Sequence, residues 1–411
     1  MLRYAFTLAA CALILCGCDK PEKHAATNPA PEAAAPAGDT RQATAKFDEA
    51  VNQLTQFYYT QVPEAATYNG APIALKGIAD TRLNDRTYAG NAARVGLIES
   101  RLANLKATAP QALDDEHRRV RASLITLFDG ALAPSRLVDY GSSFDVYGTW
   151  FLPYVINQNS GITVDIPKLM EAQQTVRDEN EAKIYLARLE SFPGILDGAL
   201  ARMRHDVELG AIPPDFIIHK SRAVVDAFSK GPAAKNVLYA SFVSKLKAAN
   251  VAKADTYAAS ALKTVNKGVL PAYRRISSYL AEIEPKAPHD AGLWRLPKGP
   301  ALYKAMIRHM TDSDLDPDQV HQTGLDEVAR ISGEMDTLLS AQGYTEGSVG
   351  ARMTAMSAEP RFVFPNTKEG KAALLADIQS HIDRVSALLP KYFGTLPKHP
   401  LEVRAVPAFS Q

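Results

Sequence analysis

The stretch LDGALARMRHDVELGAIPP, residues 196–214, decides the fold class. Its apolar residues recur four, three and four positions apart: Leu196, Leu200, Met203 and Val207. This spacing places them on one side of an α-helix and predicts that this side faces a core. Gly210 and the prolines at 213 and 214 predict the end of the helix, because glycine suits a left-handed C-cap and proline cannot continue a helix.

The polar residues between these apolar positions, Arg202, Arg204 and Asp206, are predicted to point outward. Helical spacing recurs from Phe47 onward, whereas short alternating runs rich in Val, Ile and Thr are scarce. The predicted fold is therefore mostly α, a multi-helical body with few or no strands. Further helices are predicted near 46–60, 92–106, 115–130, 178–190, 218–229, 236–249, 254–266, 270–283, 300–311 and 369–389, and one that starts at Asp316 and Pro317 and continues to Leu338.

The composition is that of a globular chain. Its 411 residues are 46% hydrophobic, and 46 Lys and Arg against 45 Asp and Glu give a net charge of +1. A chain without a net field does not attract a polyanion, so we predict no nucleic-acid partner. The glycine-rich phosphate loops GxxxxGK[ST] and GxGxxG are missing from the sequence, and no nucleotide is predicted either.

The N-terminus is typical of an exported lipoprotein. Arg3 precedes an apolar run at 5–15, which has the length of a signal-peptide core. The run ends in Leu15-Cys16-Gly17-Cys18, which looks like a lipobox, so we predict cleavage before Cys18 and its acylation by palmitate-type chains. The alternative is a secretory leader without lipid. Since all three cysteines lie in the first eighteen residues, the rest of the chain can form no disulfide.

A segment rich in Ala and Pro follows Cys18. This composition cannot bury apolar surface, and it predicts an extended tether. The predicted organisation is a signal peptide over 1–17, the lipidated cysteine and tether over 18–44, and one helical body over 45–411. The predicted location is the bacterial cell envelope, anchored by lipid and facing the periplasm, with the choice between inner and outer membrane left open.

The richest non-helical segment, 142–167, is the candidate binding region. Aromatic rings beside amides can line a cleft that binds a peptide or a sugar. The candidate cleft residues are Tyr147, Trp150, Tyr154, Asn157 and Gln158. The competing interpretation is an aromatic loop packed on the core as a lid, since aromatic residues are mostly core material.

Three other patterns are weaker. His309 and His321 flank an acidic turn and are weighed as metal ligands against capping or surface roles. The alternating carboxylates of 312–318 lack the Gly and Glu of a calcium loop, so helix capping is favoured. Ser244 and Lys245 begin an S-x-x-K match, but its partner motifs are missing.

Several phrases in order resemble the family catalogued as domain of unknown function 885. They are PYVINQ (153–158) with SGI (160–162) and DIP (165–167), ARLE (187–190), GAIPP (210–214), GLWRLP (292–297), GLDEVAR (324–330) with EM (334–335), and FGTLPK (393–398) with PLEVR (400–404). The resemblance covers 47–411. It implies a helical fold, often exported or lipid-anchored, that is similar to zinc metallopeptidases of the gluzincin type.

Family members usually carry a helix with His-Glu-x-x-Pro-Gly-His, whose histidines bind zinc and whose glutamate acts as general base. That helix follows the stretch matched by 401–407, and no position here matches it. The resemblance therefore implies a peptidase-like protein that is catalytically incomplete as given, with zinc expected only in full-length members. Either the chain is truncated, or it is a shortened protein that binds a peptide or protein partner. We expect some helices to expose apolar faces, which a partner would cover.

Overall fold

Helices dominate the chain, as the apolar spacing predicts. A computed structural model describes residues 37–71, 81–146, 148–399, 401 and 403, with side chains from residue 40 onward. Up to residue 168 the helices are α1 (Ala37–Gln61), α2 (Pro63–Tyr68), α3 (Tyr88–Ala107), α4 (Asp115–Leu137) and α5 (Ile162–Lys168). After it come α6 (Glu179–Glu208), α7 (Asp215–Ser229), α8 (Val237–Ala248), α9 (Ala254–Thr264), α10 (Leu270–Ile283) and α11 (Gly299–Thr311).

Asp316 begins a second compact unit, 316–411. Its helices are α12 (Pro317–Ala341), α13 (Val349–Ser357) and α14 (Lys368–Ser386). The predicted start of α12 is confirmed, because the Asp316 carboxylate accepts the N–H of Asp318 at 3.0 Å. The apolar residues Leu325, Val328 and Leu338 of α12 are 52%, 65% and 67% exposed. This agrees with the expectation that some helices leave apolar faces uncovered.

The first helix begins inside the segment predicted as tether. It starts at Ala37 rather than near residue 45. Alanine and long polar side chains favour a helix, and Ala43 packs against a core, so the helix extends further back than the apolar pattern alone indicates. The predicted signal peptide, Cys18 and most of the tether lie outside the described residues.

Three apolar cores hold the unit up to Leu315. The first core is formed mainly by α5 to α10, where Tyr185 stacks on Phe242 with ring centroids 4.3 Å apart. The second core lies among α1 to α4. The third core is small, and its buried members are Val138, Tyr140, Phe151, Tyr154, Ala211, Leu296 and Leu302.

Two prolines in helices of the first core lie at contrasting places, Pro193 inside α6 and Pro271 at the start of α10. Helix α6 runs without a break through Pro193, so the helices predicted at 178–190 and 196–207 are one. A π-turn (Val265–Val269) joins α9 to α10, with the N–H of Leu270 bonded to the oxygen of Val265. Pro271 follows directly and lacks an N–H, and the wider turn accommodates that loss. A second π-turn (Leu169–Gln173) follows α5.

The outward orientation predicted for two polar residues of α6 is wrong. Arg202 and Asp206 are each only 3% exposed, whereas Arg204 lies on the surface as predicted. Segment 139–141, which leads into the hairpin described below, covers this side of α6 and bonds both side chains. The predicted end of the helix is confirmed, since α6 stops at Glu208 and Gly210 has a φ of +87°.

Candidate functional site

The aromatic segment forms a two-stranded antiparallel hairpin. Strand β1 (Ser142–Asp145) pairs with β2 (Gly148–Leu152), and the register is irregular between Ser143 and Asp145. At that bulge Phe144 has a φ of +60°, a left-handed conformation that costs an L-residue about 1–2 kcal/mol. The Phe144 ring is fully buried in the second core, which offsets this cost. After the hairpin, α5 occupies part of the segment predicted as non-helical.

A buried ion pair on α6 holds the entry to the hairpin. Arg202 Nε donates to Asp206 Oδ1 at 2.7 Å, and Arg202 Nη2 donates to the oxygen of Asp139 at 2.7 Å. The other oxygen of Asp206 accepts the N–H of Gly141 at 3.0 Å. A Cβ at residue 141 would lie 2.5 Å from the oxygen of Leu152, so this position requires glycine. The entry segment is therefore fixed by charged hydrogen bonds in a dry environment.

A second buried network lies under the middle of the hairpin. Arg86 contacts Asp145 on β1, and its Nη2 lies 3.3 Å from Glu64 Oε1 on α2. Glu64 also accepts the N–H of Asn84 at 2.7 Å. Glu64, Arg86 and Asp145 are all buried, and the guanidinium of Arg94 lies close enough to contribute to their electrostatics. The network ties β1 to α2 and to segment 84–86.

The pKa values in this network follow from burial and from Arg86. Burial raises the pKa of Glu64, because the nearby guanidinium only partly compensates the loss of water. Burial also acts to raise the pKa of Asp145, but its contact with Arg86 outweighs that effect and lowers it. Burial and repulsion by Arg86 lower the pKa of Arg94 to about 10. Asp145 is thus the firmly ionised partner of Arg86.

Arg295 holds the exit of the hairpin. Its Nη2 donates to the Tyr154 hydroxyl and to the oxygen of Ile212, both at 2.7 Å, and its Nε donates to the oxygen of Asp290 at 2.8 Å. Burial raises the pKa of Tyr154, so the hydroxyl is neutral where it accepts this bond. Arg295 belongs to a 3₁₀ turn (Leu293–Arg295) whose middle residue is Trp294. Hairpin exit and turn are therefore connected through one guanidinium.

The two tryptophans of the chain are both exposed beside the third core. Trp150 on β2 is 56% exposed and precedes Phe151 of that core, while Trp294 is 65% exposed and lies two residues before Leu296. We use the name tryptophan face for these two exposed side chains, which lie on different elements, Trp150 on β2 and Trp294 in the turn Leu293–Arg295. Large aromatic side chains that stay exposed on rigid supports are typical of binding surfaces. Buried ion pairs and Arg295 supply that rigidity here.

The predicted cleft residues do not share one environment. Trp150 is exposed and Tyr154 is buried, whereas Tyr147 lies outside the described residues. Asn157 is engaged in its own turn, where Oδ1 accepts the N–H groups of 159 and 160 at 2.9 Å. Gln158 is half-buried beside it. Ligand binding by these five residues remains a prediction, and Trp150 is the one best placed for contact.

One residue from each of the three weaker patterns makes a structural contact. His309 lies against Gly130 of α4, and burial lowers its pKa. Asp316 caps α12, as the capping interpretation of 312–318 predicts. Lys245 of the S-x-x-K match donates to the backbone oxygens of Met170 and Gln174, both at 2.7 Å, and so caps the π-turn after α5.

Within the described part of the chain, no group of three or more His, Cys, Asp and Glu side chains could hold a metal ion. No described helix is both long and apolar enough to cross a membrane.

Sequence reasoning missed the buried charges that support the hairpin. Glu64, Arg86 and Asp145 lie in three separate segments and match no motif, so no signal in one sequence pairs them. Arg202 and Asp206 did carry a signal. They are four apart with opposite charge, and Asp206 comes three residues after the core residue Met203, which continues the apolar spacing.

Comparison with known proteins identifies relatives of this architecture. The model of a bacterial protein family of unknown function, DUF885, matches residues 63–411. The crystal structure of the putative lipoprotein from Colwellia psychrerythraea is similar, with a TM-score of 0.77 and 26% sequence identity. The match covers 90% of this chain and 63% of that one, so this chain spans less than two thirds of the length of the Colwellia protein. No curated protein sequence matches the chain.

Proposed function

Because the chain belongs to the DUF885 family of bacterial proteins, we propose that it is a lipid-anchored, peptidase-like protein of the cell envelope that faces the periplasm and holds a peptide on its tryptophan face. The observation that supports the peptide-binding part is the exposure of both tryptophans, Trp150 on a hairpin held by buried ion pairs and Trp294 in a turn held by Arg295. In this proposal the chain supplies a peptide-binding surface, and it is catalytically incomplete by itself.

The lipid anchor is supported by the lipobox and by the description of the Colwellia protein as a putative lipoprotein. Several acyl chains on one cysteine hold a protein stably at a membrane, since each buried methylene contributes about 0.8 kcal/mol. Mass spectrometry of the N-terminal peptide should find acyl groups on Cys18. Cys18→Ser should release the protein from membranes, whereas Cys16→Ser should leave it anchored. An unmodified Cys18 in the membrane fraction would refute the anchor.

Zinc is expected for the family's peptidases, and the residues that the structure describes do not fit it. The described residues hold no cluster that could ligate a metal, and we assign no ligand to them. The proposal is tested by purifying the mature protein in the presence of zinc and measuring its metal content and its cleavage of peptides. We expect no stoichiometric zinc and no cleavage. One zinc per chain together with turnover would overturn the catalytically incomplete assignment.

Peptide binding is tested with a casein digest passed over the immobilised mature protein, with retained peptides identified by mass spectrometry. Trp150→Ala and Trp294→Ala should each weaken retention about tenfold or more, because exposed tryptophans that anchor a partner contribute about 2 kcal/mol or more. The matched control is Tyr392→Ala, which removes a 77% exposed ring from the second unit. Retention that is equal in all variants, with unchanged circular dichroism, would exclude the tryptophan face as the site.

The exposed apolar residues of α12 support a second contact. We propose that a protein partner covers them, and that without this partner copies of the chain associate through the same residues. Val328 is 65% exposed, and Val328→Lys should reduce concentration-dependent association in light scattering without loss of helix. Association that is unchanged would show that this face is not the contact.

A further inference from the structure

A groove of about 330 Å³ lies on the side of the first core, separate from the hairpin. It runs between α6 and the junction of α9 with its π-turn. Seven residues line it: Glu190, Pro193, Ser260, Lys263, Thr264, Lys267 and Gly268. The four polar residues from the α9 side are spaced three, one and three apart, so they share one helical face.

The walls of the groove are close to one another at its base. A Cβ on Gly268 would lie 2.7 Å from Cγ of Pro193, so glycine is what allows this approach. Both sides are locally irregular, with an interior proline in α6 and a π-turn opposite. Single π-turns of this kind are frequent at functional sites.

The three charged residues of the groove, Glu190, Lys263 and Lys267, are exposed. Among the described residues, Glu190 forms no ion pair with Lys263 or Lys267, although all three line the same groove. The two ammonium groups and one carboxylate give the lining a charge of +1. A ligand that bridges the two sides would need an anionic group toward the lysines and a cationic group toward Glu190.

We propose that this groove binds a phosphate group that carries an amine, the chemistry of phosphoethanolamine. Two lysines and the hydroxyls of Ser260 and Thr264 supply donors for phosphate oxygens, and Glu190 accepts from the ammonium group. A phosphate monoester has a charge of about −1.5 to −2 at pH 7, so together with its ammonium the ligand complements the lining. The same amine and phosphate occur in a lipid headgroup, where the phosphate is a diester with a single negative charge.

The test is calorimetric titration of the full-length mature protein in a phosphate-free detergent with phosphoethanolamine, inorganic phosphate and ethanolamine. Lys263→Gln should weaken phosphoethanolamine about tenfold or more, since a charged hydrogen bond is worth about 1.5–3 kcal/mol. Glu190→Gln should weaken phosphoethanolamine but not inorganic phosphate. Lys247→Gln, an exposed lysine outside the groove, is the control and should change neither.

Flotation of the Cys18→Ser protein with vesicles of phosphatidylethanolamine distinguishes a lipid headgroup from free phosphoethanolamine as the natural ligand. Binding that is lost in Lys263→Gln and competed by the soluble compound identifies the lipid headgroup. If phosphoethanolamine gives heat in the calorimetric titration but the protein does not float with the vesicles, the ligand is the free compound. The proposal would be overturned if phosphoethanolamine gave no heat of binding. It would also be overturned if Glu190→Gln weakened the binding of phosphoethanolamine and of inorganic phosphate equally. Neither tryptophan lines this groove, so the test of peptide binding and the test of phosphoethanolamine binding can fail independently of one another.

Discussion

Replacing Arg86 by methionine leaves two buried carboxyl groups without the cation they share. Glu64 is fully buried and Asp145 is 6% exposed. Removing one partner of a buried ion pair costs about 3–5 kcal/mol, because the remaining charge stays in a dry environment. For a unit of this size, each kcal/mol lowers the melting temperature by about 2–4 °C, so the variant should melt roughly 6–20 °C below the wild type.

The effect of Arg86→Met depends on pH, and its sign follows from the carboxyl pKa values. In the wild type the depressed pKa of Asp145 stabilises the fold at neutral pH, and this contribution is lost as the pH falls through that pKa. Without Arg86, burial raises the pKa of Asp145 and raises further the pKa of Glu64, which is already raised in the wild type. Stability of the variant should then fall as the pH rises, so the difference from the wild type widens between pH 5 and pH 8.

Thermal unfolding followed by far-UV circular dichroism measures this difference. The control is Arg275→Met, which breaks a half-exposed ion pair with Asp197 and should cost less than about 1 kcal/mol. The double variant Arg86→Met with Asp145→Asn should recover part of the loss, since one of the two unpaired charges is gone. A loss at Arg86 no larger than at Arg275, or one independent of pH, would refute the reasoning.

Two further predictions concern glycine packing and histidine titration. Gly268→Ala should cost about 1–3 kcal/mol in urea unfolding, because its Cβ would lie 2.7 Å from a Pro193 ring atom. Gly194→Ala meets nothing within 4 Å in the interior of α6, and should instead stabilise by about 0.5–1 kcal/mol. In NMR titrations His309 should titrate below 6.5 because of burial, and His117 above 6.5 because its bond to a carboxylate outweighs burial. Because its pKa is lowered, His309 makes the fold less stable as the pH falls below 6.5. Because its pKa is raised, His117 stabilises the fold at low pH, and this contribution is lost as the pH rises through that pKa. His309→Gln should remove the loss of stability at low pH that His309 causes.

Apolar spacing predicted most of the helical fold. The predicted helices at 270–283 and 300–311 agree with α10 and α11 to within one residue, because long amphipathic segments carry a strong periodic signal. Short elements such as α2 and α5 were missed. They contain six and seven residues, too few to establish a period, and tertiary contacts stabilise them.

The candidate site could be predicted only in part. The exposed ring of Trp150 lies in the segment that its aromatic composition had indicated. Its supports could not be predicted, because Glu64, Arg86 and Asp145 meet through contacts between residues distant in the chain. Asp206 shows a second limit of prediction from sequence. A charged residue within an apolar pattern was assumed to be exposed to water, but the ion pair with Arg202 makes its burial possible.

The position of the tryptophans has an optical consequence. Both indoles of the chain are more than half exposed in the folded state, and unfolding will therefore change their surroundings little. Tryptophan fluorescence, excited at wavelengths where tyrosine does not absorb, should be a weak reporter of folding. The folded protein should already emit at the wavelength typical of indole in water. The same light will report on these two side chains alone, so any partner that covers Trp150 or Trp294 should shift the emission to the blue and shield it from iodide.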